Sequence, residues 1–223
     1  MQKGIVGASI TLAGELAHFL RDSAPDRRRQ RYGDMEYDWE HRVNTTGGTV
    51  AWRERFLGIF HSAYQPTDPS AFREMMASVP VDFSSFTFID LGSGKGRTLL
   101  MASDYPFHRI IGVEIMPELN RTSQENIRAY NSPTQQCTAI DSVCDDATEH
   151  AFPDEPLVIY LFNPLPEEGL RRVLKNLESS LQQSPRMIFL LYHNALLDSI
   201  LDSSTALEKI ARTDQYSLYR ARL

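Results

Sequence analysis

Asp90, Gly92, Gly94 and Gly96 stand at alternate positions in a stretch that opens on the apolar run 86–91 and closes on Thr98, Leu99, Leu100, Met101 and Ala102. The first run reads as a strand and the last as a helix. A strand, a glycine loop and a helix in that order bring backbone N–H groups close to a ligand at the carboxyl end of a sheet. Glycine permits the tight turn and removes side chains that would hold the ligand away. The spacing narrows the choice of ligand. A dinucleotide fingerprint needs glycine at the first, third and sixth positions, and the sixth counted from Gly92 is Arg97. A triphosphate-binding loop needs Ser or Thr after Gly-Lys, and here Gly96 follows Lys95.

More chemistry-bearing residues follow in order. Run 109–114 ends in Glu114, about 20 residues beyond the first glycine, where a carboxylate can accept both hydroxyls of a ribose. Cys144, Asp145, Asp146 and Ala147 come at the end of a third run. A fourth, 157–162, leads into Asn163, Pro164, Leu165 and Pro166. Taken singly, each has a structural explanation: a tight turn, a helix N-terminus near Pro117, a solvated acidic turn, a strand-ending turn. Occurring together in this order, they point to one ligand site.

As a set, these residues resemble the class I S-adenosylmethionine-dependent methyltransferases, and the resemblance runs from about residue 86 to 223. It implies an α/β, Rossmann-like fold: a seven-stranded, mostly parallel sheet with a C-terminal antiparallel hairpin. It also implies roles. Asp90, Gly92, Ser93, Gly94 and Gly96 would form the first cofactor motif, Glu114 would hold the ribose and Ile115 would line the adenine. Asp146, chosen over Asp145, would accept from the adenine amino group beside Ala147, and Asn163 would face the methyl group. The implied reaction moves a methyl group from S-adenosyl-L-methionine to an acceptor and leaves S-adenosyl-L-homocysteine.

Methyl transfer from a sulfonium is a direct displacement, so the protein supplies alignment, a dry site and a deprotonated acceptor. Methyltransferases for planar nitrogens carry Asn or Asp followed by two prolines and an aromatic residue. This chain keeps Asn163-Pro164 but continues with Leu165 and Pro166, so the stacking ring is missing. The expected acceptor is therefore an amine nitrogen, on a small molecule or a protein lysine. Asn163 and Tyr160 are the catalytic candidates, with Tyr192 as further polar lining and His193 either within reach of the site or capping the fifth strand. No metal-ligand cluster stands out. Two rivals are a nicotinamide-dependent oxidoreductase on a related fold and a cofactor-binding interaction protein without catalysis. Arg97, and the lack of a Ser-Tyr-Lys set, count against the first.

The elements that must hold these residues can be read from periodicity. Strands are expected over 86–91, 109–114, 137–143, 157–162 and 187–192, with a closing hairpin of 207–212 and 216–222. Leu170, Val173, Leu174, Leu177 and Leu181 form a helical stripe, and Pro117 opens another helix that reaches about Tyr130. Residues 1–80 read as a helical N-terminal cap or lid and 81–223 as the cofactor-binding domain. Within the cap, Trp52, Phe56, Ile59, Phe60 and Ala63 share one helical face, and Phe72, Met75, Met76 and Val79 another. Arg27, Arg28, Arg29 and Arg31 precede an acidic stretch, Asp34, Glu36, Asp38 and Glu40, threaded with Tyr32, Tyr37 and Trp39. That stretch reads as a solvated surface or as an acidic wall for a cationic acceptor. Thr45, Thr46, Gly47 and Gly48 read as a flexible loop able to close.

Composition sets the outer limits. At 223 residues the chain has enough core to fold without a disulfide or structural metal. A net charge of −6 argues against a general polyanion binder and makes nucleic acid an unfavoured partner. Two cysteines fit a reducing cytoplasm. Residues 4–20 are apolar, but Glu15 and His18 interrupt them, so neither a membrane span nor a signal peptide is expected. Nothing in the sequence indicates an oligomeric state.

Overall fold

The computed structural model describes residues 35–46, 66–162 and 165–223. Expectations for residues 4–20, the arginine run, Gly47, Gly48, the 52–63 stripe, Asn163 and Pro164 lie outside the described residues. Within them, α1 (Met35–His41) and α2 (Pro69–Ala77) come first. They are followed by β1 (Thr87–Leu91), α3 (Arg97–Ala102), β2 (Arg109–Glu114), α4 (Pro117–Ala129), β3 (Ile140–Cys144) and β4 (Leu157–Phe162). The chain closes with α5 (Glu167–Gln183), β5 (Ile188–His193), α6 (Asp198–Asp202), β6 (Leu207–Arg212) and β7 (Tyr216–Ala221).

All seven strands join one sheet in the order β3-β2-β1-β4-β5-β7-β6. β1 to β5 are parallel, and β7 runs antiparallel to both β5 and β6. Strand order reverses between β1 and β4, which puts a crevice at their carboxyl ends. The central strands are buried at nearly every position because both faces are covered, and Thr87 and Asp90 are the polar exceptions in β1. One face, with Ile89, Leu91, Ile159 and Leu161, packs under the α5 stripe. The other, with Phe88, Val158, Tyr160 and Leu191, packs under α2 and α3.

Local chemistry explains most boundaries. Asp68 caps α2, its carboxylate accepting the N–H groups of Ser70 and Ala71, with Pro69 in the first turn. Pro117 opens α4 and Pro166 immediately precedes α5. β3 begins at Ile140 and not at 137, because the N–H groups of Gln136 and Cys137 both go to the Ser103 carbonyl before pairing with β2 starts. A bulge between Lys209 and Ala211 interrupts the register of the outermost pair. No helix among the described residues is long and apolar enough to cross a membrane.

Candidate functional site

The glycine loop turns over the end of β2. The N–H groups of Gly92 and Ser93 both donate to the Val113 carbonyl, at 2.8 and 3.0 Å. Gly92, Gly94 and Gly96 have φ of 88°, 55° and 82°, a region that side chains disfavour. Gly96 is also needed for space: a Cβ there would lie 2.3 Å from the Ser123 hydroxyl oxygen. The loop is thus bound to its conformation by backbone geometry on one side and by α4 on the other.

Glu114 ends β2 beneath this loop. Its carboxylate accepts the Gly94 N–H at 2.8 Å through Oε2 and the Met116 N–H at 2.9 Å through Oε1. Each oxygen keeps a second lone pair for a ligand hydroxyl. Burial pushes the Glu114 carboxyl upward, opposed by the amides of Met116, Gly94 and Ile115. Asp90, at the fourth position of β1, is sealed within the sheet and accepts the Thr98 hydroxyl. Burial raises its carboxyl to about 7, against the pull of Thr98 and with a push from the Glu114 charge.

The third strand's acidic pair comes to the same edge, since the Asp145 N–H donates to the Glu114 carbonyl. The pair then divides. Asp145 holds the His150 ring at 2.8 Å, whereas the Asp146 carboxylate accepts the nearby Thr148 N–H, also at 2.8 Å. Asp146 is partly exposed, Ala147 beside it is buried, and Ile115 stands at the rim, 45% exposed. The sequence-selected set Asp90, Gly92, Ser93, Gly94, Gly96, Glu114, Ile115, Asp146 and Ala147 lies at or just beyond the carboxyl ends of β1, β2 and β3, with Asp90 and Ala147 buried.

The catalytic candidates fare differently. Asn163 lies outside the described residues. Tyr160 is 1% exposed, and its hydroxyl bonds Thr67 Oγ1 at 2.8 Å and His193 Nδ1 at 2.7 Å. It does not line the crevice directly. Tyr192, one residue before His193, points to the opposite face, where its hydroxyl accepts the Leu197 N–H.

The part that Arg97, Lys95 and Asn126 play in holding the N-terminal segment was not anticipated. Arg97, 2% exposed, donates from Nε to Thr45 Oγ1 at 2.7 Å and from Nη2 to Thr46 Oγ1 at 2.8 Å. It also pairs with Asp38 and lies over the Tyr37 ring. Lys95 Nζ donates to Asn44 Oδ1, and Asn126 on α4 bridges the carbonyls of Asn44 and Lys95. Thr45 and Thr46 are consequently not a free loop. Both of their N–H groups end on the Asp38 carboxylate, which takes Asp38 out of the acidic wall expected from the sequence. The missed signal was Arg97 itself, read only as a departure from a glycine pattern.

No family model matches the sequence, and no curated protein matches it. Among solved structures, the chain is similar to one described as a predicted N6-adenine-specific DNA methylase from Listeria monocytogenes. That superposition has a TM-score of 0.51 at 13% identity and covers 73% of this chain and 53% of the other. It is equally similar to TrmN from Thermus thermophilus, with a TM-score of 0.51 at 15% identity over 76% of this chain and 53% of that one. The chain has the class I methyltransferase fold. An RNA methyltransferase from Salinibacter ruber, solved with S-adenosyl-L-homocysteine, aligns at a TM-score of 0.46 and 18% identity over 70% of this chain and 92% of that one. In this fold the topological switch point lies between β1 and β4, and the glycine loop that leaves β1 there meets Glu114 at the end of the neighbouring β2.

Proposed function

We propose that this chain is an S-adenosylmethionine-dependent methyltransferase whose acceptor is an amine nitrogen, on a small molecule or a protein lysine. One observation carries the reading: a loop of three left-handed glycines sits on a buried carboxylate, which takes the Gly94 N–H on one oxygen and the Met116 N–H on the other. Those residues fit an adenosyl group. Glu114 would take the ribose hydroxyls, Ile115 would cover one side of the adenine, and Asp146 would accept from its amino group. Bound there, the cofactor would supply a methyl group activated on a sulfonium, open to direct displacement by the acceptor's lone pair.

The chain's own residues do the rest. The glycine loop and Glu114 hold the cofactor, Asn163 would orient the acceptor, and the 42–46 segment closes over the loop. We read residues 1–80 as a cap on an 81–223 cofactor domain, and the grip of Arg97 and Asn126 on residues 44–46 supports that reading. Cys137 and Cys144 are both free thiols, in keeping with a reducing cytoplasm.

Calorimetric titration with S-adenosyl-L-homocysteine, with NADH run beside it, tests the cofactor. Micromolar binding of the first alone is the expected result, and binding of NADH alone would transfer the crevice to the oxidoreductase reading. Glu114→Ala should weaken S-adenosyl-L-homocysteine binding by about 1–3 kcal/mol through lost ribose hydrogen bonds. Unchanged affinity in a folded variant would remove Glu114 from the site. Acceptor screening should include RNA and DNA beside amines, since structural neighbours bear those names.

A further inference from the structure

Phe162 and His193 close β4 and β5 as register partners, at the carboxyl edge where the chain passes into Asn163. Their rings stack at 4.0 Å and 21°, so the imidazole plane is held. Its Nδ1 is engaged by the Tyr160 hydroxyl at 2.7 Å, and that hydroxyl reaches Thr67 Oγ1 at 2.8 Å. Among the described residues, Nε2 of His193 has no hydrogen-bond partner, and the ring is only partly buried. A half-covered imidazole at the mouth of the sheet thus has a polar chain fixing its inner nitrogen while its outer nitrogen is open.

We propose that His193 is the side chain that meets the methyl acceptor, its Nε2 lone pair accepting an N–H of the incoming amine, with Tyr160 and Thr67 acting behind it as positioning residues. This rests on the methyltransferase reading above and names the residue that selects a nitrogen still carrying hydrogen. The proposal includes one order of donors along this chain. Nδ1–H donates to the Tyr160 oxygen, and Tyr160 O–H donates to Thr67 Oγ1, so Nε2 is left as an acceptor. Holding one N–H of the acceptor aims the nitrogen lone pair for displacement.

The charge state agrees. Burial pushes the His193 imidazolium down to about 4, against the favourable charge of Asp68 at the N-terminus of α2. Tyr160 on β4 and Tyr216, its partner on β7, are the other titratable groups beside it. The ring is therefore neutral at pH 7 and adds no positive charge beside a sulfonium. Such a weak base does not retain the proton of the product ammonium, which leaves to water.

Long-range proton–nitrogen NMR on the full chain tests the assignment without turnover. At pH 7 His193 should be the Nδ1–H tautomer, with a bare Nε2. Tyr160→Phe should remove that preference, and Thr67→Val should weaken it. With S-adenosyl-L-homocysteine bound, n-butylamine at millimolar concentration should shift the Nε2 resonance and leave exposed His108 unmoved. An Nε2–H tautomer in the wild type, His193 signals indifferent to Tyr160→Phe, or no shift with n-butylamine would each overturn the proposal. Failure of the wild type to bind S-adenosyl-L-homocysteine is a separate outcome, and it would overturn the methyltransferase reading instead.

Discussion

Asp90→Asn is expected to gain about 4 kcal/mol in unfolding free energy relative to the wild type as pH is raised from about 4 to about 8. Asp90 sits inside the sheet with its carboxyl raised from an ordinary 3.8 to about 7, chiefly by burial. The folded chain therefore holds a proton that the unfolded chain releases near pH 4. Its contribution to stability is complete below the unfolded value, falls as pH rises toward about 7, and is level above that. An amide at this position has no charge to bury and can still accept the Thr98 hydroxyl. Urea unfolding of both proteins across this range measures the difference, and groups common to the two cancel. Parallel stability curves for the two proteins would show that Asp90 is ionised in the folded state after all.

Arg97→Met should cost about 3 kcal/mol and loosen the 35–46 segment. The guanidinium is buried against Thr45, Thr46, Asp38 and the Tyr37 ring, while the Asp38 side chain is itself only 13% exposed. Methionine fills part of the volume but leaves the two threonine hydroxyls and the Asp38 charge without their cation. Hydrogen exchange should quicken at the Val43 and Thr45 amides, which are bonded to Asp38, and stay slow in the central strands. A stability change below about 0.5 kcal/mol, the range of an ordinary surface substitution, would mean that the segment is held by the Asn44–Asn126 contacts alone.

Much of the fold was legible because its signals are local. The strand runs and the 170–181 stripe are periodic over a few residues, and the hairpin is bounded by Thr213, Asp214 and Gln215. α4 was legible only through Pro117. Its buried side chains are Asn120, Ser123 and Asn126, a polar face with no apolar stripe to read. Asn120 and Gln124 there bond Ser142 on β3, and Asn126 clasps the N-terminal segment. β3 was placed three residues early because its alternation is weak, as suits an edge strand covered less completely. Tyr160 was read as lining the site because it lies in the apolar run that leads into Asn163, and nothing in that run tells which face a hydroxyl will find.

The sequence by itself determined the glycine loop, the carboxylate that ends β2 and the acidic pair after β3. Each depends on a residue's place at the end of its own strand, and every parallel strand delivers its end to the same edge of the sheet. Tertiary structure alone decided what stands behind that edge. Arg97 closes on residues 38, 45 and 46, and Tyr160 reaches both Thr67 and His193, because these partners are dozens of positions apart and meet only through packing on the α2–α3 face. A side chain's alternation along a strand says that it is inside; which buried hydroxyl or carboxylate it then finds is settled by the elements folded over it.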